Sequence, residues 1–536
     1  MARVSKAAKP RAKKAATPKE ERLEDILMSC RNRLRGRAAM SDKRDLLLTM
    51  VFFKFMEDRY NARRVEIQDQ NADEEPEFVL ELMEKDASYG SEGVICLQDE
   101  YRWSVIIAEE PNKLALAFDN AITKIMENEP RLANALPSGI FTKTALEASV
   151  LKAVIDDINK IDPARFHDRD LIGRVYEYFL QSFSINAESK EEGEFYTPHS
   201  IVQLIASLIE PYDGIIYDPC CGSGGMFVQS ARMLEERGGD KLTLHVLGQE
   251  SVPSTYRLAK MNLAIRGFSF DLGEKYASTF EEDQHPGCIV DYVMANPPFN
   301  LKPWKTASVA TDDPRWAAYG CPPESNANYA WILHILSKLD PDKGIAGFLL
   351  ANGALDDADT LEIRKKLIQE DKVEAIIVLP REMFYRTDIS VTLWILNNNK
   401  GACERHGRQL RDRKGEVLFV DLRTWNSVTY DKGFVMFSPE QIDAASKIYF
   451  DWQSKSGRKK YAEPELYYSA SMKEIEAQNW SLVPSRYIEF VDRDNALDAD
   501  FILSAVGQQT AVILEEQRKN QEKLIEAFKV LGYEFD

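Results

Sequence analysis

The middle of the chain alternates short apolar segments, rich in β-branched residues, with longer segments of helical periodicity. The apolar segments are GIIYD, LHVLGQE, IVDYVMAN, GIAGFLLAN, VEAIIVLP and VTLWIL, at residues 214–218, 244–250, 289–296, 344–352, 373–380 and 391–396. Helical candidates such as SIVQLIASLIE, GMFVQSARMLEER and STYRLAKMNLAIR lie between them. Strands and helices that alternate at this spacing predict a doubly wound α/β sheet. Ligands of such sheets bind beyond the carboxyl ends of the strands, so we expect the chemically important residues there.

Helical regions flank this α/β segment. An apolar stripe beginning at Leu23 predicts amphipathic helices, and LLLTMVFFKFM at 46–56 is apolar almost all round, which predicts a buried helix. The segment 502–532 predicts a long charged helix that packs either on its own domain or on a partner. We therefore expect a basic disordered arm at 1–19, a helical domain at 20–165, a catalytic domain at 166–435 and a C-terminal region at 436–536 that ends in a helix for partner docking.

The charge of the chain limits how it can hold nucleic acid. Its 536 residues include 68 Lys and Arg against 86 Asp and Glu, a formal net charge of -18. Because duplex binding comes largely from neutralising phosphates, an acidic chain needs a local basic patch or a basic partner. Residues 1–19 hold basic residues and no acid, which predicts a solvated arm or a weak nucleic-acid-binding arm. The arginine-rich stretch at 401–415 is the other place where we expect phosphate contacts.

Cysteine and histidine spacing and the length of the apolar runs exclude several classes of protein. The seven cysteines form no CxxC pair and the six histidines form no HxxxH pair, which predicts reduced cytoplasmic thiols and no metal site. No apolar run reaches the roughly 20 residues that span a bilayer. No GxxxxGK[ST] motif is present. We expect neither membrane insertion nor an ATP-driven motor.

A glycine-rich turn, YDPCCGSGGMF, follows the first predicted strand. Glycines allow a ligand to approach the backbone, and the N-terminus of the next helix offers N–H donors. The spacing differs from the GxGxxG of dinucleotide enzymes, which disfavours phosphate binding. Alone, the turn also fits a strand-to-helix connection without a ligand. The glycines that would let a ligand approach the backbone are Gly222, Gly224 and Gly225.

Glu250 follows the second predicted strand, in HVLGQE. A carboxylate at this strand tip can accept hydrogen bonds from both hydroxyls of a ribose. In isolation, Glu250 also fits a surface carboxylate or the N-cap of the helix that begins near Pro253. Together with the glycine-rich turn, it predicts a ligand that contains adenosine.

The segment ANPPFN follows the predicted strand at 289–296. Its two prolines stop the strand and leave the Pro297 carbonyl without a ladder partner. The Asn296 amide oxygen and that carbonyl can accept both hydrogens of one planar amino group, while Phe299 offers a ring on which a heterocycle can stack. A bare NPP turn is common. The prediction of a site for a planar amino group therefore rests on the position of this turn at a strand tip of the sheet.

The motifs GEFYTP, DPCCGSGG, GQE and NPPF, in this order, resemble those of amino-group adenine DNA methyltransferases. The resemblance is specifically to the modification subunit of type I restriction-modification systems, and it covers most of the chain. NPPF alone is shared with other amino methylases, whereas GEFYTPHSIVQLI just before the first strand is more particular to this group. The resemblance implies a Rossmann-like class I S-adenosylmethionine-dependent methyltransferase sheet.

The resemblance implies a role for each motif residue. Ser278 stands where the family usually has Asp, so we expect a backbone group or water to contact the cofactor's adenine there. The resemblance implies that the segment closing over the methionine end of S-adenosyl-L-methionine is Glu194, Phe195, Tyr196, Thr197, Pro198 and His199. It implies that the main cofactor loop is Asp218, Gly222, Ser223, Gly224 and Gly225, and that Glu250 accepts the ribose hydroxyls. The catalytic target-base motif is implied to be Asn296, Pro297, Pro298 and Phe299.

The implied reaction is methyl transfer from S-adenosyl-L-methionine to the exocyclic amino group of adenine in DNA. In the resembled family a separate specificity subunit reads the DNA, with two modification subunits per specificity subunit, and a restriction subunit joins for cleavage. The target base must be flipped out of the duplex. Trp304, Trp316 and Tyr329, which follow NPPF, either enclose that base or belong to an ordinary ordered loop.

Two other functions stay open. An NPPF site also fits methyl transfer to another planar amino group, such as that of an RNA adenine or a protein glutamine. The more distant alternative is a non-catalytic scaffold that binds the cofactor as a regulator.

Overall fold

The structure of the protein is a computed structural model. It describes residues 22–162, 171, 175, 178–179, 197–306, 308–384, 390–430, 434–454, 460–491 and 499–530. Within these residues no helix combines the length and the apolar character needed to cross a membrane.

The N-terminal part is helical, as the sequence predicts. The second helix is the central one, and it is fully buried from Leu46 to Phe53. This burial explains why the segment is apolar on all sides. Phe118 stacks on Phe141 with ring centroids 4.5 Å apart and packs its edge against Phe53. The helices are α1 (Leu23–Arg33), α2 (Met40–Gln70), α3 (Pro76–Glu84), α4 (Ala87–Gly90), α5 (Trp103–Ile106), α6 (Leu114–Asn128), α7 (Ile140–Thr144) and α8 (Ala148–Ile158).

The following part is built on a ten-stranded sheet. The strands are β1 (Gly214–Asp218), β2 (Leu244–Gly248), β3 (Ser269–Asp271), β4 (Tyr292–Ala295), β5 (Ile345–Ala351), β6 (Val373–Val378), β7 (Val391–Asn397), β8 (Cys403–Arg405), β9 (Arg408–Leu410), β10 (Glu416–Asp421), β11 (Thr429–Tyr430), β12 (Phe434–Val435), β13 (Ala462–Glu463) and β14 (Tyr467–Ser471). The strand order in the large sheet is β13-β14-β10-β6-β7-β5-β4-β1-β2-β3. Strand β7 runs antiparallel to β5 and β6, and β14 runs antiparallel to β10 and β13.

Strand β1 pairs in parallel with β2 on one side and with β4 on the other. The chain therefore runs outward from β1 through β2 and β3, then returns to the opposite side of β1 at β4. This reversal creates a crevice at the carboxyl ends of β1 and β4, where ligands of α/β sheets bind. The predicted Rossmann-like α/β fold class is confirmed.

Helices cover both faces of the sheet. Helices α9, α10, α11 and α14 pack on one face, and α12, α13 and α15 pack on the other. Strands β5 and β7 are consequently buried over their whole length. The helices are α9 (His199–Ile209), α10 (Gly225–Glu236), α11 (Pro253–Ile265), α12 (Asn328–Lys338), α13 (Leu361–Gln369), α14 (Pro439–Ser454), α15 (Met472–Ala477) and α16 (Ala499–Val530).

Helix α11 contributes to two apolar cores at once. Tyr256 and Leu263 pack with the helices on the sheet, whereas Leu258 and Met261 pack among the N-terminal helices. Lys260 reaches across and donates to the carbonyl oxygen of Ala133 at 2.9 Å. The N-terminal helical part is therefore fixed to the sheet through α11.

The arginine-rich stretch 401–415 does not present its arginines as a phosphate-binding surface, so this prediction is wrong. Arg405 lies over the Tyr292 ring at the amino end of β4, away from the carboxyl edge. Arg408 forms an ion pair with Glu210. Arg413 is fully buried and donates its Nε to Glu374 at 3.0 Å. Arg405 and Arg408 are partly exposed but engaged by other parts of the protein, and Arg413 is paired in the interior, as a buried arginine must be.

The described apolar side chains of helix α16 are mostly exposed. Among its described side chains only Ile525 is partly covered, while Leu503, Ile513 and Leu524 are 69%, 62% and 57% exposed. Of the two arrangements predicted for this helix, these exposed side chains favour docking on a partner over packing on its own domain.

We expect Arg413→Leu to lower the free energy of unfolding by about 3–5 kcal/mol, because it leaves the buried Glu374 carboxylate without its cation. Urea unfolding followed by tryptophan fluorescence measures the change. The exposed ion pair between Lys447 and Asp451, 2.9 Å apart, supplies the control. Lys447→Leu should cost less than about 1 kcal/mol. Equal effects of the two substitutions would contradict a structural role for the buried pair.

Candidate active site

Backbone hydrogen bonds extend the pairing of β1 and β2 beyond the ends of both strands. Gln249 N donates to Asp218 O at 3.0 Å, and Cys221 N donates to Gln249 O at 2.9 Å. These bonds hold the glycine-rich turn against the tip of β2. Gly222 and Gly224 have φ angles of 56° and 79°, in the left-handed region that favours glycine.

The turn borders open space. A Cβ atom built on Gly222 or Gly225 would meet no atom within 4 Å. Gly225 begins α10, so the first N–H groups of that helix have no intrahelical acceptor. On the other side, Asn262 of α11 donates its Nδ2 to Ser223 O at 2.8 Å and anchors the turn. The arrangement fits a bound group that contacts backbone.

Asp218 ends β1 with its carboxyl group buried. The carboxylate accepts a hydrogen bond from Cys220 N at 2.9 Å. Burial, and to a smaller extent the nearby Glu250 carboxylate, raise the pKa of Asp218 to about 7 against the opposing effect of the Cys220 hydrogen bond. A cationic group in the crevice would relieve this unfavourable charge.

Glu250 has the position predicted for it, just beyond β2. Its Oε2 accepts from Gly222 N at 3.0 Å, and its Oε1 accepts from Val252 N, just before α11, at 2.8 Å. Each carboxylate oxygen can accept more than one hydrogen bond. Glu250 therefore holds the turn and the start of α11 and can still accept ribose hydroxyls, so the two interpretations of this residue are compatible.

Asn296 lies one residue beyond β4, which ends at Ala295. Its Nδ2 donates to Thr197 Oγ1 at 2.9 Å, and this contact sets the orientation of the amide. Its Oδ1 is buried and has no hydrogen-bond partner among the residues that the structure describes. A buried acceptor without a donor is costly, so this atom is positioned to accept from a donor other than the residues that the structure describes.

The rest of the NPPF motif follows Asn296 directly. Pro297 is buried, Pro298 is exposed and Phe299 is half-buried. The Phe299 ring makes a T-shaped contact with Phe384, with centroids 5.7 Å apart, which fixes the plane of the ring.

The predicted methionine-end segment is only partly described. Residues 194–196 lie outside the described residues. Thr197 contacts Asn296, Pro198 caps α9 and His199 begins that helix. Burial lowers the pKa of His199, and the charge of Arg232 adds to this effect. Thr197 thus joins the start of α9 to the target-base motif.

The turn after β3 lies beside Glu250. Ala277 N donates to Glu250 O at 3.0 Å, and Ser278 O accepts from Glu281 N at 3.1 Å. Gln249, which sequence reasoning missed, is fully buried and holds this turn by donating its Nε2 to Ala277 O at 3.1 Å. Its place in the GQE motif, directly before Glu250, is the signal in the sequence that could have identified it.

The aromatic residues after NPPF are structural. They belong to the target loop, which we define as residues 300–306 and 308–327, or to the start of α12. Trp304 and Trp316 are buried and donate their indole N–H groups to loop carbonyls. Tyr329 is buried and donates to Ala354 O at 2.9 Å. Of the two predicted roles, the ordered loop is the one observed.

Two family models match the chain. The N-6 DNA Methylase model matches residues 167–496, and the HsdM N-terminal domain model matches residues 23–158. The chain is 31% identical over 526 residues to the type I restriction enzyme MjaIX methylase subunit of Methanocaldococcus jannaschii, covering 95% of this chain and 91% of the relative. It is 39% identical over 375 residues to the HindI methylase subunit of Haemophilus influenzae, covering 69% and 80%.

Solved structures share the fold. A type I restriction-modification system methyltransferase subunit from Streptococcus thermophilus superposes with a TM-score of 0.68. It covers 87% of this chain and 99% of its own at 23% identity. A modification subunit of a type I restriction enzyme from Vibrio vulnificus gives a TM-score of 0.59 at 18% identity, covering 84% and 92%. The similarity extends over both the helical part and the sheet.

The raised pKa of Asp218 predicts a pH dependence of stability. Its folded-state pKa of about 7 exceeds the unfolded value of roughly 3.9, so the folded state binds more protons and stability falls as pH rises through this window. Asp218→Asn keeps an acceptor for Cys220 N and removes the ionisation. We expect it to stabilise the chain at pH 8 by about 2–4 kcal/mol relative to wild type, with little change at pH 4.

Denaturant unfolding of both proteins at several pH values tests this expectation. Asp240 is the control, because it makes the same contact to the N–H two residues later but is exposed. Asp240→Asn should leave the pH profile unchanged. Parallel pH profiles for Asp218→Asn and wild type would contradict the expectation.

Proposed function

The chain belongs to the N-6 DNA methylase family, as a methyltransferase subunit of the type I restriction-modification kind, and on that premise we propose which residues carry its reaction. As an adenine-specific DNA methyltransferase, it would move a methyl group from S-adenosylmethionine to the exocyclic nitrogen of adenine. The observation that supports this assignment most is the buried Asn296 Oδ1, which lacks a donor among the described residues. The adenine amino group is a donor of the required kind.

The crevice beside β1 fits the cofactor. When bound, S-adenosylmethionine supplies an electrophilic methyl group on a positively charged sulfonium. Gly222 and Gly225 leave open space beside backbone N–H groups, and Glu250 can accept the ribose hydroxyls. The buried Asp218 carboxyl contributes negative charge to the same crevice. Thr197, Pro198 and His199 would close over the methionine end.

Asn296 and Pro297 would act on the nucleophile. The lone pair of the adenine amino nitrogen is delocalised into the ring, so the free base is a poor nucleophile. Accepting both N–H bonds at Asn296 Oδ1 and Pro297 O favours the pyramidal nitrogen and stabilises the positive charge that develops on it. Thr197 keeps the amide oxygen in the required direction. No general base has to act before the methyl group is transferred.

Phe299 would receive the flipped base. Extrusion from the duplex costs a few kcal/mol of unstacking. Stacking on an aromatic ring returns about 1–3 kcal/mol. The contact with Phe384 fixes the ring before the base arrives, so little side-chain entropy is lost on binding.

A partner would supply most phosphate contacts. The net charge of -18 and the internal use of the arginines at 401–415 leave little positive surface for a duplex among the described residues. We propose that a specificity subunit reads the DNA and bridges two copies of this chain, and that a restriction subunit joins the full complex. The exposed apolar residues of α16 are the proposed docking surface.

We expect Asn296→Ala to lower the methyl-transfer rate by about 10²–10³-fold or more, because one contact that strengthens in the transition state is lost. The dissociation constant for S-adenosylhomocysteine should stay within about twofold of wild type. Transfer is measured with tritiated cofactor and a duplex in the presence of the specificity subunit. The exposed Asn128, on α6, is the control, and Asn128→Ala should change neither quantity.

The same assay separates the alternative functions. Retained activity in Asn296→Ala would refute the assignment. Transfer to RNA or to protein in place of DNA would identify a methyltransferase for another amino group. Cofactor binding without any transfer, with the partner present, would identify a regulatory scaffold.

Deleting α16 and the residues after it should abolish association with the specificity subunit, because it removes the exposed apolar residues proposed to dock there. The catalytic domain should stay folded, since the described side chains of α16 other than Ile525 are exposed. Size-exclusion chromatography with the partner and circular dichroism of the truncated chain measure the two effects.

A substitution pair makes the deletion test specific. Ile513→Asp places a charge among the apolar residues of α16 and should weaken the complex. Ala511→Asp places the same charge about half a turn away and should not. A complex that survives both the deletion and Ile513→Asp would show that the partner docks elsewhere.

A further inference from the structure

Arg315, in the target loop, uses all five of its guanidinium N–H groups within the protein. Its Nε and one terminal nitrogen donate to the two oxygens of Asp313, at 2.9 and 2.7 Å. The terminal nitrogens also donate to Thr279 O at 2.7 Å and to Phe280 O at 2.8 Å, and one of them approaches His334 Nδ1 at 3.4 Å. Only arginine has this number of donors in a planar fork.

The two carbonyls belong to the turn after β3, directly after Ser278. The other side of this turn is also held, because Thr279 Oγ1 donates to Pro219 O in the glycine-rich turn. Ala277 N donates to Glu250 O. The turn that faces the predicted adenosine position is therefore fixed between the cofactor loop and the target loop.

A second connection runs from Arg315 to β1. Guanidinium groups only donate, so His334 Nδ1 must be an acceptor and His334 Nε2 carries the proton. His334 Nε2 lies 3.0 Å from the hydroxyl of Tyr217, the residue before Asp218. Burial lowers the pKa of His334 to about 3, with the charge of Arg315 adding to the effect, so the ring stays neutral.

The target loop is also tied at its ends. Asn328, at the start of α12, donates its Nδ2 to the side-chain oxygen of Asn300, directly after the NPPF motif, at 3.1 Å. Trp316, the neighbour of Arg315, is fully buried. Arg315 therefore lies in a loop that is fixed beside Arg315 by a buried ring and tied at Asn300, directly after Phe299.

We propose that Arg315 is a positioning residue that couples the adenosine side of the active site to the target-base side. The inference rests on the proposed function and goes beyond it by identifying the connection between the two halves. Binding of the cofactor's adenosine against the turn after β3 holds the Thr279 and Phe280 carbonyls, and through Arg315 it holds the target loop. Because coupling between binding sites is reciprocal, an ordered target loop favours the cofactor in turn.

Hydrogen–deuterium exchange of the full chain, with and without S-adenosylhomocysteine, tests the coupling without DNA or a partner. In the wild type we expect the ligand to slow exchange both in the turn at 277–282 and in the target loop at 308–320, the loop by about 5- to 150-fold. Arg315→Lys keeps the charge but cannot join Asp313 to both carbonyls. In this variant the turn should still be protected, and protection of the loop should be lost.

Two further variants separate coupling from a general loss of folding. Asp313→Asn weakens the fork that orients Arg315 and should reduce protection of the loop by an intermediate amount. Arg423 makes the same side-chain fork to Asp421, two residues earlier, without reaching the turn after β3. Arg423→Lys should leave protection of the loop as in the wild type. Equal protection of the loop in Arg315→Lys and wild type would overturn the proposal.

The wild-type result distinguishes the coupling from the proposed function. Ligand binding that protects the turn but not the target loop would overturn the coupling and leave the proposed function intact. A wild-type chain that does not bind S-adenosylhomocysteine would overturn the proposed function, and the coupling with it.

Discussion

The parallel pairing of β1 with β2 and β4 is the constraint on which the candidate active site depends. Parallel strands end at one edge of a sheet, so Asp218, Glu250 and Asn296 meet there although they lie far apart in the chain. The backbone bonds between Asp218, Gln249 and Cys221 continue the pairing into the turns. A slip of one residue would turn every side chain of a strand to the opposite face, and the site would be lost.

Helix α11 connects this site to the N-terminal helices. It begins just after Glu250, anchors the glycine-rich turn through Asn262, and buries its far side among the N-terminal helices. The backbones of Gly93 and Gly267 approach so closely that a Cβ on Gly93 would lie 2.2 Å from Gly267 O. The N-terminal helical part thus supports the side of the site proposed for the cofactor, because it fixes α11 and α11 anchors the glycine-rich turn.

The structure shows how this acidic chain uses the arginines at 401–415. The chain carries excess negative charge, and the arginines at 401–415, for which the sequence predicts phosphate contacts, are instead paired with carboxylates such as Glu210 and Glu374. Burying these pairs costs desolvation, which is compensated only by complete hydrogen bonding. This use of the arginines supports the proposal that phosphate contacts come from a partner.

The sequence by itself determined the fold class, most strands of the sheet and the residues at their tips, because strand periodicity, glycine turns and prolines are local properties. The predicted strands did not include β3, β10, β13 and β14, and of these the edge strands β3 and β13 have too few residues for a pattern. Only the tertiary structure decided the direction of the Asn296 amide, the burial of Trp304 and Trp316, and the role of Arg315. Each of these depends on partners supplied by other segments of the fold, and no local pattern in the sequence identifies such partners.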